Sequence, residues 1–306
     1  LKLARNLLRQ DGFLLTSIND GEQARLRLAL DEVFGEENFV AQLVWLKGKE
    51  GGNDNAGFGV HHEYVLAFAR SAAVANSTIK LDAKDTSRHI TSIPETNRVV
   101  PGTQVYRDGE PFQLINLSKQ KDYTVKIPLT DGSALSYDSY CPQSTIDRYV
   151  DEGRVFVGTK GVPYVKSFLA DEAAGTKPST LIESKFGTTK AGGIAARSLF
   201  GDGKIFTYPK PPRLVERLLE VSGATSMDEA AHPIVLDFFA GSGTTGQATM
   251  AANAATDSTV RYVLVQFPES LDTENKDQKL AAEYCDALGV PRTITELTKE
   301  RLRRAG

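Results

Sequence analysis

The chain has 306 residues, 41% of them hydrophobic and 25% charged, and a net charge of −3 at pH 7. That composition fits one large or two ordinary globular domains. The slight acidity excludes a chain-wide polyanion binder, so any nucleic-acid footprint has to be local. The two cysteines, Cys141 and Cys285, stand in unrelated contexts, which argues against a disulfide framework or a zinc site and fits a reducing, cytoplasmic compartment. No apolar stretch approaches the roughly 20 residues of a membrane span, and no signal-peptide pattern is visible.

Leu1, Leu3, Ala4, Leu7 and Leu8 predict a helix that Gly12 ends. The chain starts at Leu1 rather than Met and enters that pattern at once, as expected of a fragment. Phe13–Ile18 reads as a buried strand, Glu22–Phe34 as an amphipathic helix and Phe39–Leu46 as a second strand. Five glycines among polar residues make Gly48–Gly59 a mobile loop. Glu63–Ala69 (EYVLAFA) is a strong strand, paired hairpin-fashion with the one before the loop. From 72 to 204 the character changes. Thr, Ser, Pro and Gly become common, periodic helices disappear, and short strands (Tyr123–Ile127, Ala134–Tyr137, Val155–Val157) alternate with turns. This stretch is slightly basic and reads as an inserted, irregular α+β domain. Regular α/β order resumes at Pro209, with Pro211 and Pro212 at a helix start. The strand Ile234–Phe238, the helix Gln247–Ala255, the strand Val260–Phe267 and the helix Gln278–Leu288, closed by Gly289, follow. Thr293 and Glu296 form a capping box for a last helix. Its Lys299, Arg301, Arg303 and Arg304 read as a solvated face.

The most informative run is His232-Pro-Ile-Val-Leu-Asp-Phe-Phe-Ala-Gly-Ser-Gly-Thr-Thr-Gly246. A strand, a glycine turn and a helix put free N–H groups and a helix N-terminus at the carboxyl edge of a sheet, where nucleotide-like ligands bind. An ordinary strand-to-helix turn needs one glycine; this one has Gly241, Gly243 and Gly246. The acidic Asp237 at the strand's end argues against phosphate and suits a ligand carrying an ammonium group or hydroxyls.

Three segments in this order resemble the β-class amino-methyltransferases of DNA that use S-adenosylmethionine. Asp237-Phe-Phe-Ala-Gly-Ser-Gly-Thr-Thr245 looks like their cofactor motif, D-x-F-x-G-x-G-T. Phe206-Thr-Tyr-Pro-Lys-Pro211 looks like the F-x-x-P-K-P element before it, and His62-Glu-Tyr-Val-Leu-Ala-Phe-Ala69 like their H-E-Y-I-L-x-F-x strand. The opening segment, DEVFGEENFVAQLVW and the closing TITELTKERLRRA resemble the modification (Mod) subunit of type III restriction–modification systems. The middle matches only in its placement and in Phe186-Gly-Thr-Thr189.

The resemblance implies an α/β, Rossmann-like methyltransferase domain made of residues 1–71 and 205–306, split by a target-recognition domain at 72–204. It implies methyl transfer from S-adenosylmethionine to adenine N6 in duplex DNA, with a second Mod subunit and a helicase-nuclease restriction subunit as partners. For the cofactor it implies Phe206, Lys210, Asp237, Phe239, Gly241, Ser242, Gly243, Thr244 and, as ribose contact in place of a carboxylate, Gln266, with Thr245 as a further donor and Glu269 three positions beyond. The family's catalytic Asp-Pro-Pro-Tyr is absent from all 306 residues. The resemblance therefore implies a chain that begins beyond that motif, lacks the catalytic residues and one central strand, and is inactive alone.

His61 and His62, adjacent on a strand, face opposite sides and make a poor chelate; no metal site is expected. Trp45 reads as core. Tyr106, Tyr123, Tyr137, Tyr140, Tyr149 and Tyr164 are candidate DNA contacts among which the sequence does not choose. Two other readings remain open. One is a non-catalytic DNA-recognition or subunit-interaction module that keeps the fold. The other is a dinucleotide dehydrogenase, disfavoured because the acidic Asp237 at the strand's end argues against the phosphates of a dinucleotide.

Overall fold

A computed structural model describes residues 1–48, 58–83, 86–87, 89–91, 98–99, 111–117, 122–171, 175–202, 204–226 and 233–306. Most of the 48–59 glycine loop, Tyr106 and His232 therefore lie outside the described residues. The chain is a mixed α/β protein with two compact units, Leu1–Asp82 with Lys177–Gly306, and Ala83–Thr176. Its elements in order are α1 (Lys2–Leu7), β1 (Phe13–Ile18), α2 (Asp20–Phe34), β2 (Phe39–Leu46), β3 (His62–Ala69) and α3 (Ala72–Ala75). In the second unit come β4 (Phe112–Asn116), β5 (Tyr123–Pro128), β6 (Ala134–Ser139), α4 (Gln143–Asp151), β7 (Val155–Val157) and β8 (Pro163–Phe168). The first unit resumes with β9 (Leu181–Ile182), α5 (Thr189–Phe200), α6 (Pro212–Val221), β10 (Ile234–Asp237), α7 (Thr244–Thr256), β11 (Arg261–Leu264), α8 (Lys279–Leu288) and α9 (Ile294–Ala305).

The first unit holds a four-stranded sheet in the order β1-β3-β2-β9. β3 carries an unbroken apolar run, and Val65 to Ala69 are all buried. A strand apolar on both faces belongs inside a sheet with both faces covered. It pairs antiparallel with β1, from Phe13↔Ala69 to Ile18↔Tyr64, and with β2, whose last pair is Leu46↔His62. Leu30 and Phe34 of α2 pack with Leu14, Leu66 and Phe68. Helix α2 starts where the Asn19 side chain accepts the Glu22 N–H at 3.1 Å. A second cluster joins Trp45, Val65 and Ile182 to Leu214 and Leu218 of α6. Trp45, expected as core, is 2% exposed and its indole N–H donates to the Gly187 carbonyl at 2.8 Å.

β10 and β11 form a separate parallel pair, from Ile234↔Arg261 to Asp237↔Leu264. Parallel strands need a crossover, and α7 supplies it. Gly246 allows α7 to lie close: a Cβ there would stand 2.5 Å from Leu302 and 3.0 Å from Leu264. The outward apolar residues of this pair remain half exposed, Ile234 at 56% and Val263 at 49%. Beyond β10, Phe238 turns back to pack against the cluster around Leu14 and Phe68.

The second unit has a three-stranded antiparallel sheet, β4-β8-β7, and the hairpin β5-β6. Its core gathers Leu117, Val125, Ile127, Ile146, Val155 and Val165. The strands expected at 123, 134 and 155 are present.

Four details depart from the sequence reading. The region expected to lack periodic helices contains α4 and α5; α4 is short but sets Ile146, Tyr149 and Val150 at i, i+3 and i+4 against one core, and α5 is rich in Ala and Gly, which blurs its apolar period. The compact second unit is shorter than 72–204, because α3, β9 and α5 group with the first unit. β11 covers only Arg261–Leu264 of the expected Val260–Phe267, since β10 offers four residues to pair with. The Thr293 side chain accepts no N–H of α9; its hydroxyl is bonded to that of Thr295 at 2.9 Å, while Glu296 pairs with Lys299. The expected capping box therefore does not form.

Candidate functional site

The turn from β10 into α7 is held at both ends. Ala240 N–H donates to the Val265 carbonyl at 3.1 Å, and Gly243 N–H to the Ala240 carbonyl at 2.7 Å. Gly243 has φ +76° and directly precedes α7. A side chain there would carry left-handed strain and meet Thr298 Cγ2 at 2.9 Å. Thr298 in turn donates to the Gly241 carbonyl at 2.5 Å. The turn is thus clamped onto α9, a helix about 50 residues away in sequence.

Asp237 organises this turn from inside. It accepts the Phe239 N–H at 3.0 Å and the Thr245 hydroxyl at 2.6 Å. Both bonds orient the loop. Gln266 is likewise engaged: its carbonyl oxygen accepts the Gly241 N–H at 2.7 Å and its amide donates to the Phe267 carbonyl at 3.2 Å.

The three hydroxyls of the turn differ in what their single hydrogen can do. That of Thr245 is committed to Asp237. Thr244, buried, donates to the Lys210 carbonyl at 3.2 Å. Ser242 is 3.0 Å from the Thr244 hydroxyl, a pair in which either oxygen can donate; when Thr244 donates to Lys210, Ser242 is the donor. Its hydrogen is the one that can be redirected to a ligand.

A cavity of about 280 Å³ opens beside the turn, with Phe206, Pro209, Gly241, Ser242, Glu269, Asp277 and Leu297 among its walls. Phe206 is buried there, edge-on to Phe200 at 5.6 Å between ring centres. The segment from Phe206 to Pro211 is seated by α5. A Cβ on Gly192 would stand 1.9 Å from the Pro209 carbonyl oxygen, so only glycine permits this approach.

Of the nine residues expected at the site, Phe206, Gly241 and Ser242 line the cavity. Asp237, Gly243, Thr244 and Gln266 frame the turn behind it. Lys210 gives its backbone carbonyl to Thr244, while its ammonium pairs with Glu63 of β3 and lies over the Trp45 ring at 4.9 Å. Phe239 is 83% exposed and outside the cavity. Glu269 is a wall residue, whereas Asp277 carried no motif that would have singled it out.

Arg301 is the larger surprise. The solvated face expected for α9 holds for Lys299, Arg303 and Arg304, which pair with Glu296 and Glu300. Arg301 is fully buried. Its spacing carried the signal: Ile294, Leu297 and Arg301 stand at i, i+3 and i+7, one face of a helix. His62 bonds Tyr64 at 2.9 Å, and among the described residues no cluster of metal-ligating side chains occurs.

A family model described as DNA methylase, of N6 and N4 type, matches residues 1–257. The chain is 30% identical over 311 residues to the Mod subunit of the type III restriction-modification enzyme StyLTI of Salmonella typhimurium, covering 99% of this chain and 43% of the relative. It is 27% identical to the EcoPI Mod subunit of Escherichia phage P1 (99% and 48% covered) and 27% to the EcoP15I Mod subunit of Escherichia coli (100% and 49%). The chain thus spans less than half the length of each of these relatives.

Proposed function

The chain belongs to the DNA methylase family, and from that premise we propose that it is the cofactor-binding part of a type III modification subunit, a site-specific DNA methyltransferase. The reaction assigned to the whole protein is transfer of a methyl group from S-adenosylmethionine to adenine N6 in duplex DNA. Residues 1–71 and 205–306 are assigned the Rossmann-like methyltransferase domain, and the unit inside 72–204 target recognition. Duplex DNA, a second Mod subunit and a helicase-nuclease restriction subunit are the partners, in the cytoplasm. No Asp-Pro-Pro-Tyr occurs among the 306 residues, so this chain by itself is expected to hold cofactor without transferring methyl.

The observation that carries the reading is the cavity beside the glycine turn. Its volume, about 280 Å³, is near the lower end of small-molecule pockets, which start at roughly 300 Å³. Its walls fit the three parts of S-adenosylmethionine. Phe206 and Leu297 offer an apolar wall to a purine. The carboxylates of Glu269 and Asp277 are acceptors for ribose hydroxyls, with charge assistance that Gln266 lacks. The Ser242 hydroxyl, on the cavity wall, suits a carboxylate. When bound, the cofactor supplies an electrophilic methyl on its sulfonium. The chain's residues do the rest by positioning: Asp237, Gln266 and Thr298 hold the turn, and Gly192 seats Phe206 and Pro209 against it.

Calorimetry on this chain tests the proposal. S-adenosylmethionine is expected to bind at one site and NAD not to bind. Binding of NAD in place of S-adenosylmethionine would overturn the reading in favour of a dehydrogenase-type site. For the full-length protein, transfer of labelled methyl to duplex DNA is expected. Cofactor and DNA binding without transfer would instead support a non-catalytic recognition module.

A further inference from the structure

Arg301 is an arginine with no exposed surface and, among the described residues, no carboxylate oxygen within salt-bridge distance. Nη1 donates to the Ser242 carbonyl at 3.2 Å, to the Ser242 hydroxyl at 2.9 Å and to the Thr244 hydroxyl at 3.0 Å. Nε donates to the Gln247 side-chain carbonyl at 2.9 Å. Nη2 is buried without a partner. The guanidinium carbon lies 5.9 Å from the centre of the Phe206 ring, itself a wall of the cavity. Burial lowers the arginine's pKa to about 10, so the group stays charged at neutral pH.

Every acceptor that Arg301 meets is a neutral oxygen. A buried cation supported only by dipoles is costly, and a methionine of similar volume would pack the same space without that cost. The charge therefore calls for an anion close by. A hydrogen-bonded route from it to the cavity runs through the Ser242 hydroxyl, which accepts from Arg301 on one side and can turn its hydrogen to a ligand on the other. A cation behind a hydroxyl polarises it into a stronger donor.

We propose that Arg301 is the buried counter-charge for the carboxylate of the cofactor's amino-acid moiety, acting through Ser242. It is a positioning residue that makes the site select a ligand carrying that carboxylate. The inference rests on the cofactor reading given above and adds to it the group that sets its ligand specificity.

The test compares S-adenosylmethionine with its decarboxylated analogue, which keeps the sulfonium and the nucleoside, by calorimetry on the chain. The wild-type chain is expected to prefer the carboxylated ligand by about tenfold or more, the size of one charge-assisted hydrogen bond. In R301M and R301Q that preference is expected to collapse through weaker binding of S-adenosylmethionine, with the decarboxylated analogue bound within about twofold of wild type. S242A should collapse it too, R301K should restore part of it, and R303Q, on the exposed face of the same helix, should leave it intact. Equal loss of both ligands in R301M and R301Q, with the fold retained, would reduce Arg301 to a structural support and overturn the inference. Should those variants fail to fold, the wild-type preference and S242A decide, and a preference that is absent in wild type or survives in S242A overturns it. A wild-type chain that binds neither ligand overturns the cofactor reading and this inference together.

Discussion

The two sheets of the first unit are built on opposite terms. The β1-β3-β2-β9 sheet is stabilised by packing: Leu66, Phe68 and Ala69 on its inner strand have no exposed surface, and α2 and α6 cover its faces. The β10-β11 pair has only four paired positions, with Ile234, Leu236, Val263 and Val265 each more than a third exposed. What holds its turn is polar: Asp237 on Phe239 and Thr245, Gln266 on Gly241, Thr298 on the Gly241 carbonyl and Arg301 on Ser242. A buried apolar strand tolerates shifts of its surroundings poorly but needs no direction. A polar turn needs its donors aimed, and directional bonds aim them. Stability is thus concentrated in one sheet and geometry in the other.

The largest expected effect lies in the first sheet. Leu66→Ala should cost about 2–5 kcal/mol, read as a lower urea midpoint, since the leucine is fully buried among Leu14, Leu30 and Phe34. A loss below about 1 kcal/mol would break the contrast. Next comes Gly192→Ala, whose Cβ would press on the Pro209 backbone oxygen. Overpacking of this kind costs about 1–3 kcal/mol, and here it should also weaken S-adenosylmethionine binding, because Pro209 and Phe206 are cavity walls. An unchanged affinity would separate α5 from the site.

Asp237→Asn sharpens the comparison from the other side. It keeps the shape but replaces a carboxylate that accepts two hydrogen bonds. About 1–2 kcal/mol of stability is expected to go, together with a larger proportional loss of cofactor affinity, both visible in melting with and without ligand. The smallest effect is expected at Ile234→Thr and Val263→Thr. Both residues are about half exposed in this chain, so each change should stay within about 0.5 kcal/mol. A cost like that of Leu66→Ala would mean that this face is covered in solution.

Much of the first sheet was legible. The apolar run of β3, the antiparallel pair across the glycine loop and the alternation of α2 with strands are local patterns, and the structure contains them. Of the candidate site, the glycine turn was legible in the sequence, and the contacts its side chains make were not. Ser242 and Phe206 stand at the cavity, yet Gln266 is taken by Gly241, Lys210 is drawn to Glu63, and Phe239 points to solvent. Each of these depends on which partner lies within 3 Å, a fact absent from spacing.

The linear order of residues by itself determined the family, the glycine turn after Asp237 and the apolar faces, because each is written in neighbouring positions through dihedral preference or helical and strand period. Only the tertiary structure decided how the donors and charges of that turn are used. Arg301 shares a helix face with Leu297, but it takes the packing of α9 onto the β10–α7 turn to make it a buried cation under Ser242. Hydrogen-bond partners and desolvation are properties of distance in space, and the chain brings those groups together from about 60 residues apart.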